Sequence, residues 1–513
     1  TISSNITLTT SSGAGLTFDT NKDLKGSGGL AKQGDGSLTF LSNDNNFSGG
    51  LTISGGLVQA GTSGAPITGG LALGGTTAGQ NYLGSGNITV GSGATLSATL
   101  SNSGITLASG GTITNNGGSI IFNETTSGAN ANLTQSGTLL NTAGATSISG
   151  LNAYTLADNG NLSVTGGAVT ISAGIFQTTG TSTASPANIN VTSGTLDVNL
   201  ASSTGSFTLG ANDNINLSGS ASSMIINPTA GTAGTTLNGD VTLANGSTLA
   251  VSQGTTTLSS GMRLDGGSSG PSGTLSISGN LVVNGPGLSN NPDITINSNA
   301  NTSISGPVAG SSITNIGTLT KAGSGTTVID SSVNNIGAQN INITGGTLML
   351  GASNQIDNNT NMTLSGATFS TGGNSEVVNT LTLTANSTID MGNGNSILNF
   401  ANSSANGWTP ATTLLINNWS GSWTGNGTDQ IYFGNTSGGL GNSQLSEIYF
   451  GIGGQLYGAR ILSTGEICPG FTPVPEPSVT FSALGLLVLA FWRERRKCSR
   501  FISRLRSFSF RAV

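Results

Sequence analysis

The feature that most constrains this chain is a short strand pattern that recurs with little between the copies except turns. Asn87-Ile-Thr-Val90, Asn188-Ile-Asn-Val-Thr192, Asp240-Val-Thr-Leu243 and Asn340-Ile-Asn-Ile-Thr344 each alternate an apolar residue with Asn or Thr, and each is closed by Gly, Asn or Ser. Period-two alternation marks a strand with one buried face. No stretch of the body carries a sustained 3.6-residue apolar period with caps, so no helix is expected there. A second element recurs with it, a small-residue turn leading into Thr-Leu or a near equivalent. It stands at Gly93–Leu96, Gly110–Ile113, Gly194–Leu196, Gly246–Leu249, Gly273–Leu275, Gly345–Leu348, Gly366–Phe369 and Asn386–Ile389. Its terminal apolar residues step by 17 (96 to 113), 26 (249 to 275), 21 (348 to 369) and 20 (369 to 389). A drifting period near 20 is what stacked coils allow, because loops vary while the core strand is kept.

One such coil buries too few side chains to stand alone. Stacked at ~4.8 Å, coils pair every strand above and below and join their apolar residues into one column. Gly and Asn suit the corners because they tolerate positive φ. The expected fold is therefore all-β: a right-handed parallel β-helix, or solenoid, over residues 1–407. An aromatic-rich capping module at 408–467 and a short C-terminal transmembrane helix follow it. About 400 residues at ~20 per coil would make some 20 coils and a rod of order 100 Å. An array of immunoglobulin-like sandwiches would need strands every ~8–12 residues and an aromatic core. Residues 1–407 hold ten aromatics, which disfavours it.

Charge excludes several functions. Charged residues are 7% of the chain and there is no His, which removes the commonest general base and metal ligand. Of 14 Lys and Arg, eight lie in the last 21 residues; the other six face 19 acids. An acidic, Lys-poor body is a poor nucleic-acid binder, and a basic tail beside an apolar run is a topology signal. Cys468 and Cys498 flank that apolar run, so no disulfide between them is expected.

One repeat carries a family pattern. Leu30, Lys32, Gly34 and Gly36 form a Leu-x-Lys-x-Gly-x-Gly block, Asn45, Phe47 and Gly49 an Asn-x-aromatic-x-Gly block, and Gly55, Gly56 and Leu57 a closing block. In the closing block Leu57 follows the glycines directly, where the pattern has Gly-Gly-x-Leu. Together these resemble the autotransporter-associated β-strand repeat. A degenerate copy holds Lys321, Gly323 and Gly325, then Gly345, Gly346 and Leu348, with Asn335-Ile-Gly337 in place of the middle block. The two copies span 26–61 and 316–351, and the resemblance implies a secreted or surface β-helix passenger. Lys32 and Lys321 share one slot and read as turn-stabilising stems.

Texture changes near Trp408: eight aromatics fall between Trp408 and Tyr457. A cap over the solenoid's open end explains them, and a carbohydrate-binding aromatic face is the sharper alternative. Residues 468–478 hold four prolines and read as an extended linker. The uncharged run Val479–Trp492 would span ~21 Å as a helix, short of a ~30 Å hydrocarbon core. Its flanks are those of a stop-transfer anchor, with Arg493, Arg495, Arg496 and Lys497 at once after it. The order Val474, Pro475, Glu476, Pro477, Ser478, apolar run, basic cluster resembles the PEP-CTERM sorting signal of Gram-negative bacteria. That resemblance implies recognition of the Pro-Glu-Pro string by a membrane-embedded exosortase, cleavage nearby, and a mature form at the surface or in an exopolysaccharide matrix. The precursor would sit in the inner membrane, body outside and tail in the cytoplasm. The tail departs from the family by continuing from Cys498 to Val513, where Phe501, Ile502, Leu505 and Phe508 among arginines suit an interfacial helix on membrane lipid. The chain opens on Thr1 with no signal peptide, which reads as a processed or truncated form.

Motifs for chemistry are sparse. Gly266-Gly-Ser-Ser-Gly270 fits Gly-x-Ser-x-Gly, but a triad cannot be completed without His. Nucleotide-binding glycine loops are absent, and Gly425–Asp429 supplies one calcium-repeat unit where stacking needs several. The acids stand singly, at Asp158, Asp197, Asp213, Asp240, Asp265 and Asp293 for example; stacking could align Asp240 with Asp265 near Arg263. The expected function is a non-enzymatic exported structural or adhesion protein with no cofactor and no metal, contacting membrane lipid, an exosortase and possible exopolysaccharide or host glycans. The alternatives are a β-helix polysaccharide lyase or hydrolase, and a glycan-binding adhesin acting through Trp408–Tyr457.

Overall fold

The computed structural model describes residues 1–473 apart from 63, 68–81, 101–104, 108–110, 125–131, 201–204, 229–233, 245, 260–261, 266–273, 278–279, 284–286, 290–291, 299–300 and 307–310. Strands stack in parallel ladders along one axis, and the body is a parallel β-solenoid. Its middle shows the construction. In the first ladder Asn161, Asn188, Asn214 and Asp240 stand one above another. In the second, Thr195, Ser223, Thr248 and Thr274 do so. In the third, Ser206, Gly234, Thr255 and Asn280 follow in turn.

Alternation explains both surfaces of each ladder. Asn188–Val191, Asn214–Leu217 and Asp240–Leu243 all bury their second and fourth residues. Because the ladders are in register, Leu162, Ile189, Ile215, Val241 and Leu264 form one interior column. Tyr154, Phe176 and Phe207 stack within another, with ring centroids 5.1 Å apart at each step. Outside, asparagines couple successive coils: Asn190 donates to Asn161 at 2.9 Å and Asn216 to Asn190 at 3.0 Å. Such ladders satisfy amides that would otherwise compete with backbone pairing.

Coil length drifts more widely than the period near 20 expected. The step is 26 residues from Asn188 to Asn214 and 21 from Asn340 to Asn361, but 37 from Leu51 to Ile88. The coils are longer and fewer than 20, because corner loops are free to grow outside the ladders.

The aromatic-rich stretch divides in two. Parallel pairing continues through Leu414–Asn417, Gln430–Phe433 and Ile448–Ile452. Strand Gln455–Ile461 then folds back antiparallel on Ile448–Ile452, and Glu466–Pro473 runs antiparallel to it and to Gln430–Phe433. Gly453 and Gly454 make this reversal at φ 59° and 80°, the double positive φ of a two-residue hairpin. A reversed hairpin ends the run of parallel coils at this end. The start of the Pro-rich segment, through Pro473, belongs to this hairpin. One short α-helix, Asn442–Ser446, lies beside it. Among the described residues no helix is long and apolar enough to cross a membrane. Val474–Ser478, the apolar run Val479–Trp492, the cluster Arg493, Arg495, Arg496 and Lys497, and the tail all lie outside the described residues.

Candidate functional site

The two repeat copies share one corner geometry. Lys32 and Lys321 are buried inside the solenoid, where an ammonium is costly unless every proton is used. Lys32 Nζ donates to the carbonyls of Gln33 (3.1 Å), Gly34 (2.8 Å) and Gly55 (3.0 Å). Lys321 Nζ does the same to Ala322 (2.7 Å), Gly323 (2.9 Å) and Gly345 (3.1 Å). Each lysine thus ties the corner of its own coil to the corner of the next. Burial pulls both ammonium pKa values down from the ordinary lysine value, opposed at Lys32 by Asp35.

The glycines of the repeat make room for this clamp. Gly34 and Gly323 turn at φ 74° and 72°, and Gly56 and Gly346 at 65° and 60°. A Cβ on Gly56 would strike the carbonyl oxygens of Gly36 and Gly34, and one on Gly346 those of Gly325 and Gly323. Superposing these slots corrects the reading of Leu57. Leu57 matches Thr347, an outward position, and the buried place of Leu348 is filled by Val58. Alternation along the strand decides it, so the closing block here is Gly-Gly-x-Val. In the middle block Phe47 is buried, while the buried Asn45 spans three coils. It accepts from Leu24 N at 2.8 Å and donates to Ser42 O at 3.1 Å and Tyr82 O at 2.9 Å. Gly49 lies against the backbone of Gly28 and Gly29, closer than any side chain permits. Leu30 is buried on the first ladder.

The acids considered for catalysis do not converge. Asp240 stands beneath Arg263, with 4.0 Å between their charged atoms, and Asp265 stands above Thr242. Asp240 and Asp265 are therefore diagonal, not stacked, because Arg263 and Asp265 are two residues apart on one face. Both members of the ion pair are largely solvated, where such contacts contribute little. Asp213 is buried as a corner tether, accepting from Thr178 Oγ1 (2.5 Å), Gly180 N (3.0 Å) and Ala187 N (2.8 Å). Among the described residues no group of three His, Cys, Asp or Glu is placed to hold a metal ion.

The cap's aromatics split by depth. Trp408 and Trp419 are buried; Trp408 donates its indole N–H to Leu381 O at 3.1 Å, and Trp419 meets Phe450 edge-on at 5.1 Å. Trp423 meets Tyr457 edge-on at 4.9 Å nearer the surface, and the Arg460 guanidinium lies 4.6 Å over the exposed Phe471 ring. A pocket of about 190 Å3 lies against Trp408, but Asn406 there already donates to Leu381 O and Thr382 Oγ1, and Gln444 to Ser403 O and Asn406 O. Cys468 is buried, which pushes its thiol pKa up to about 11, far from reactive.

An amide-lined groove escaped the sequence reading. Beyond Val333–Ile343 the first ladder shrinks to a single bridge, Ile336 to Ile356. A turn over 354–360 replaces the strand, with Asn354 at φ 57°. Gln355 anchors the turn from one side, donating to Asp330 O (2.7 Å) and Val333 O (2.9 Å). Glu376 anchors it from the next coil, accepting from Gln355 N at 2.7 Å and Ile356 N at 3.1 Å. Two contiguous depressions of about 400 and 370 Å3 result, sharing Asp357 and Asn359. Lysine and arginine are absent from their lining. The only sequence signal was the degenerate middle block at Asn335–Gly337, which lies in this groove.

Residues 30–60 match the model of the passenger-associated-transport-repeat family, the segment that holds the Lys32 clamp and both glycine corners. No curated protein and no solved structure shows a significant match to the chain. With its parallel coils, the chain is a β-solenoid repeat protein that carries an autotransporter-associated repeat.

Proposed function

We propose that this chain is an exported, non-enzymatic structural or adhesion protein of the cell surface or extracellular matrix. The observation that carries the reading is the parallel solenoid with its passenger-type repeat at 30–60. A long rod built from coil-to-coil pairing displays rows of polar side chains along its outer faces. The exported location rests on the C-terminal order of Pro475-Glu476-Pro477, apolar run and basic cluster, which resembles a PEP-CTERM signal. In this reading Val479–Trp492 holds the precursor in the inner membrane, with the body outside and the tail inside. An exosortase then acts near the Pro-Glu-Pro string.

Fractionation of the native host, with mass spectrometry of the mature C-terminus, tests the sorting step. Wild-type protein should reach the surface lacking Phe508 and Arg511, and Glu476→Ala should accumulate in the inner membrane with its tail intact. Mature surface protein that keeps Arg511 would leave a plain tail anchor and refute the sorting step.

A further inference from the structure

We propose that the groove at the corner of coils 314–361 is a binding site for neutral, hydroxyl-rich glycan chains. The inference deepens the adhesion reading and rests on it. Four groove side chains, Asn334, Asn335, Gln339 and Asn358, carry no hydrogen bond to any described residue, although amides elsewhere in the solenoid pair from coil to coil. Each offers two donors and one acceptor to an incoming group. That mixture matches sugar hydroxyls, which both donate and accept.

Other ligand classes fit less well. An anion would meet the Asp357 carboxylate with no cation in the lining. A divalent cation would find one carboxylate where oxygen-rich sites use several. An apolar ligand would strand the amides without water. The shape agrees with a polymer: both depressions have the volume of small-molecule sites, and they join through Asp357 and Asn359 across successive coils. The floor is held by contacts that a ligand need not disturb, Gln355 to the coil before and Glu376 from the coil after. The site is therefore shaped before binding, which lowers the ordering cost that weak polar contacts must overcome.

The test is affinity electrophoresis of the full chain, held in mild detergent, through gels containing dextran, mannan or alginate. Wild-type protein should be retarded by at least one neutral glycan and not by alginate. The triple variant Asn335→Ala, Gln339→Ala, Asn358→Ala should lose at least five-fold in apparent affinity with an unchanged circular dichroism spectrum. Its three side chains make no internal hydrogen bonds, so folding should survive. Asn359→Trp, which fills the groove from an exposed turn, should block retardation independently, while Asn216→Ala should leave it intact. Equal retardation of wild type and triple variant would place binding elsewhere, overturning the groove and sparing the adhesion reading. Retardation by alginate alone, or by no glycan, would overturn the groove as well. Cell fractionation judges the surface reading separately.

Discussion

Glu376 makes the solenoid sensitive to pH at one coil. Its carboxylate is buried and accepts three backbone N–H groups, from Gln355, Ile356 and Val377. Burial disfavours the ionised form more than those donors favour it, and the pKa is pushed up to about 7 from 4.5. The folded coil therefore holds the proton more tightly than the unfolded chain does. Stability from this group is complete below about pH 4.5, falls as pH climbs, and is lost above about pH 7. A rise of some 2.5 pH units corresponds to about 3 kcal/mol at 1.36 kcal/mol per unit. In a solenoid that cost falls on the local coil, because each repeat contacts only its neighbours. The assay is hydrogen exchange with mass spectrometry on peptides covering 352–380, corrected for intrinsic rates, at pH 4.5 and 8. Wild type should lose roughly a hundredfold in protection between the two, and Glu376→Gln should stay nearly flat. Protection that rises with pH in wild type but not in the variant would show that the three N–H donors win, refuting the balance argued here.

Three further outcomes follow from the coil geometry. Lys321→Met leaves the carbonyls of Ala322, Gly323 and Gly345 without their donor, and should cost about 3 kcal/mol of local stability, read as faster exchange across 320–346. Gly346→Ala should lower the melting transition far more than Gly366→Ala. Both have positive φ, but only the Gly346 Cβ meets backbone oxygens, whereas Gly366 has open space and should cost about 1 kcal/mol. Phe176→Ala removes the middle ring of the Tyr154–Phe207 stack and should cost ~3–5 kcal/mol by denaturant-monitored fluorescence of Tyr154, with Phe176→Leu recovering most of it.

Much of the body was legible because strand alternation and corner glycines are local signals. Asp240-Val-Thr-Leu243 reads as a half-buried strand with no knowledge of its neighbours, and it is one. Lys32 and Lys321 showed their kinship through the flanking glycines. Coil length was less legible, since a step of 37 residues from Leu51 to Ile88 keeps the ladder register as well as a step of 21 does. Leu57 misled because residue type matched it to the leucine of the closing block, although it follows the glycines directly; the positive φ of Gly56 sets the phase and turns Val58 inward. Glu376 and Gln355 had no signal at all. Their partners lie some 20 residues away along the chain, where only the stacking of coils brings them together. The groove inherits that opacity, because it forms where a strand is missing.

In-register coils make the length of this rod an editable quantity. Asn161, Asn188, Asn214 and Asp240 occupy equivalent places, so excising 214–239 would join Asp213, with its corner contacts, to Asp240 at a matching corner. Every ladder then closes on a residue of the same orientation, and the rod shortens by one rise of ~4.8 Å. Duplicating the same 26 residues would lengthen it by as much. Adding or removing a whole coil therefore changes reach by one rise at a time while leaving the corner clamp, the groove and the reversed end as they are.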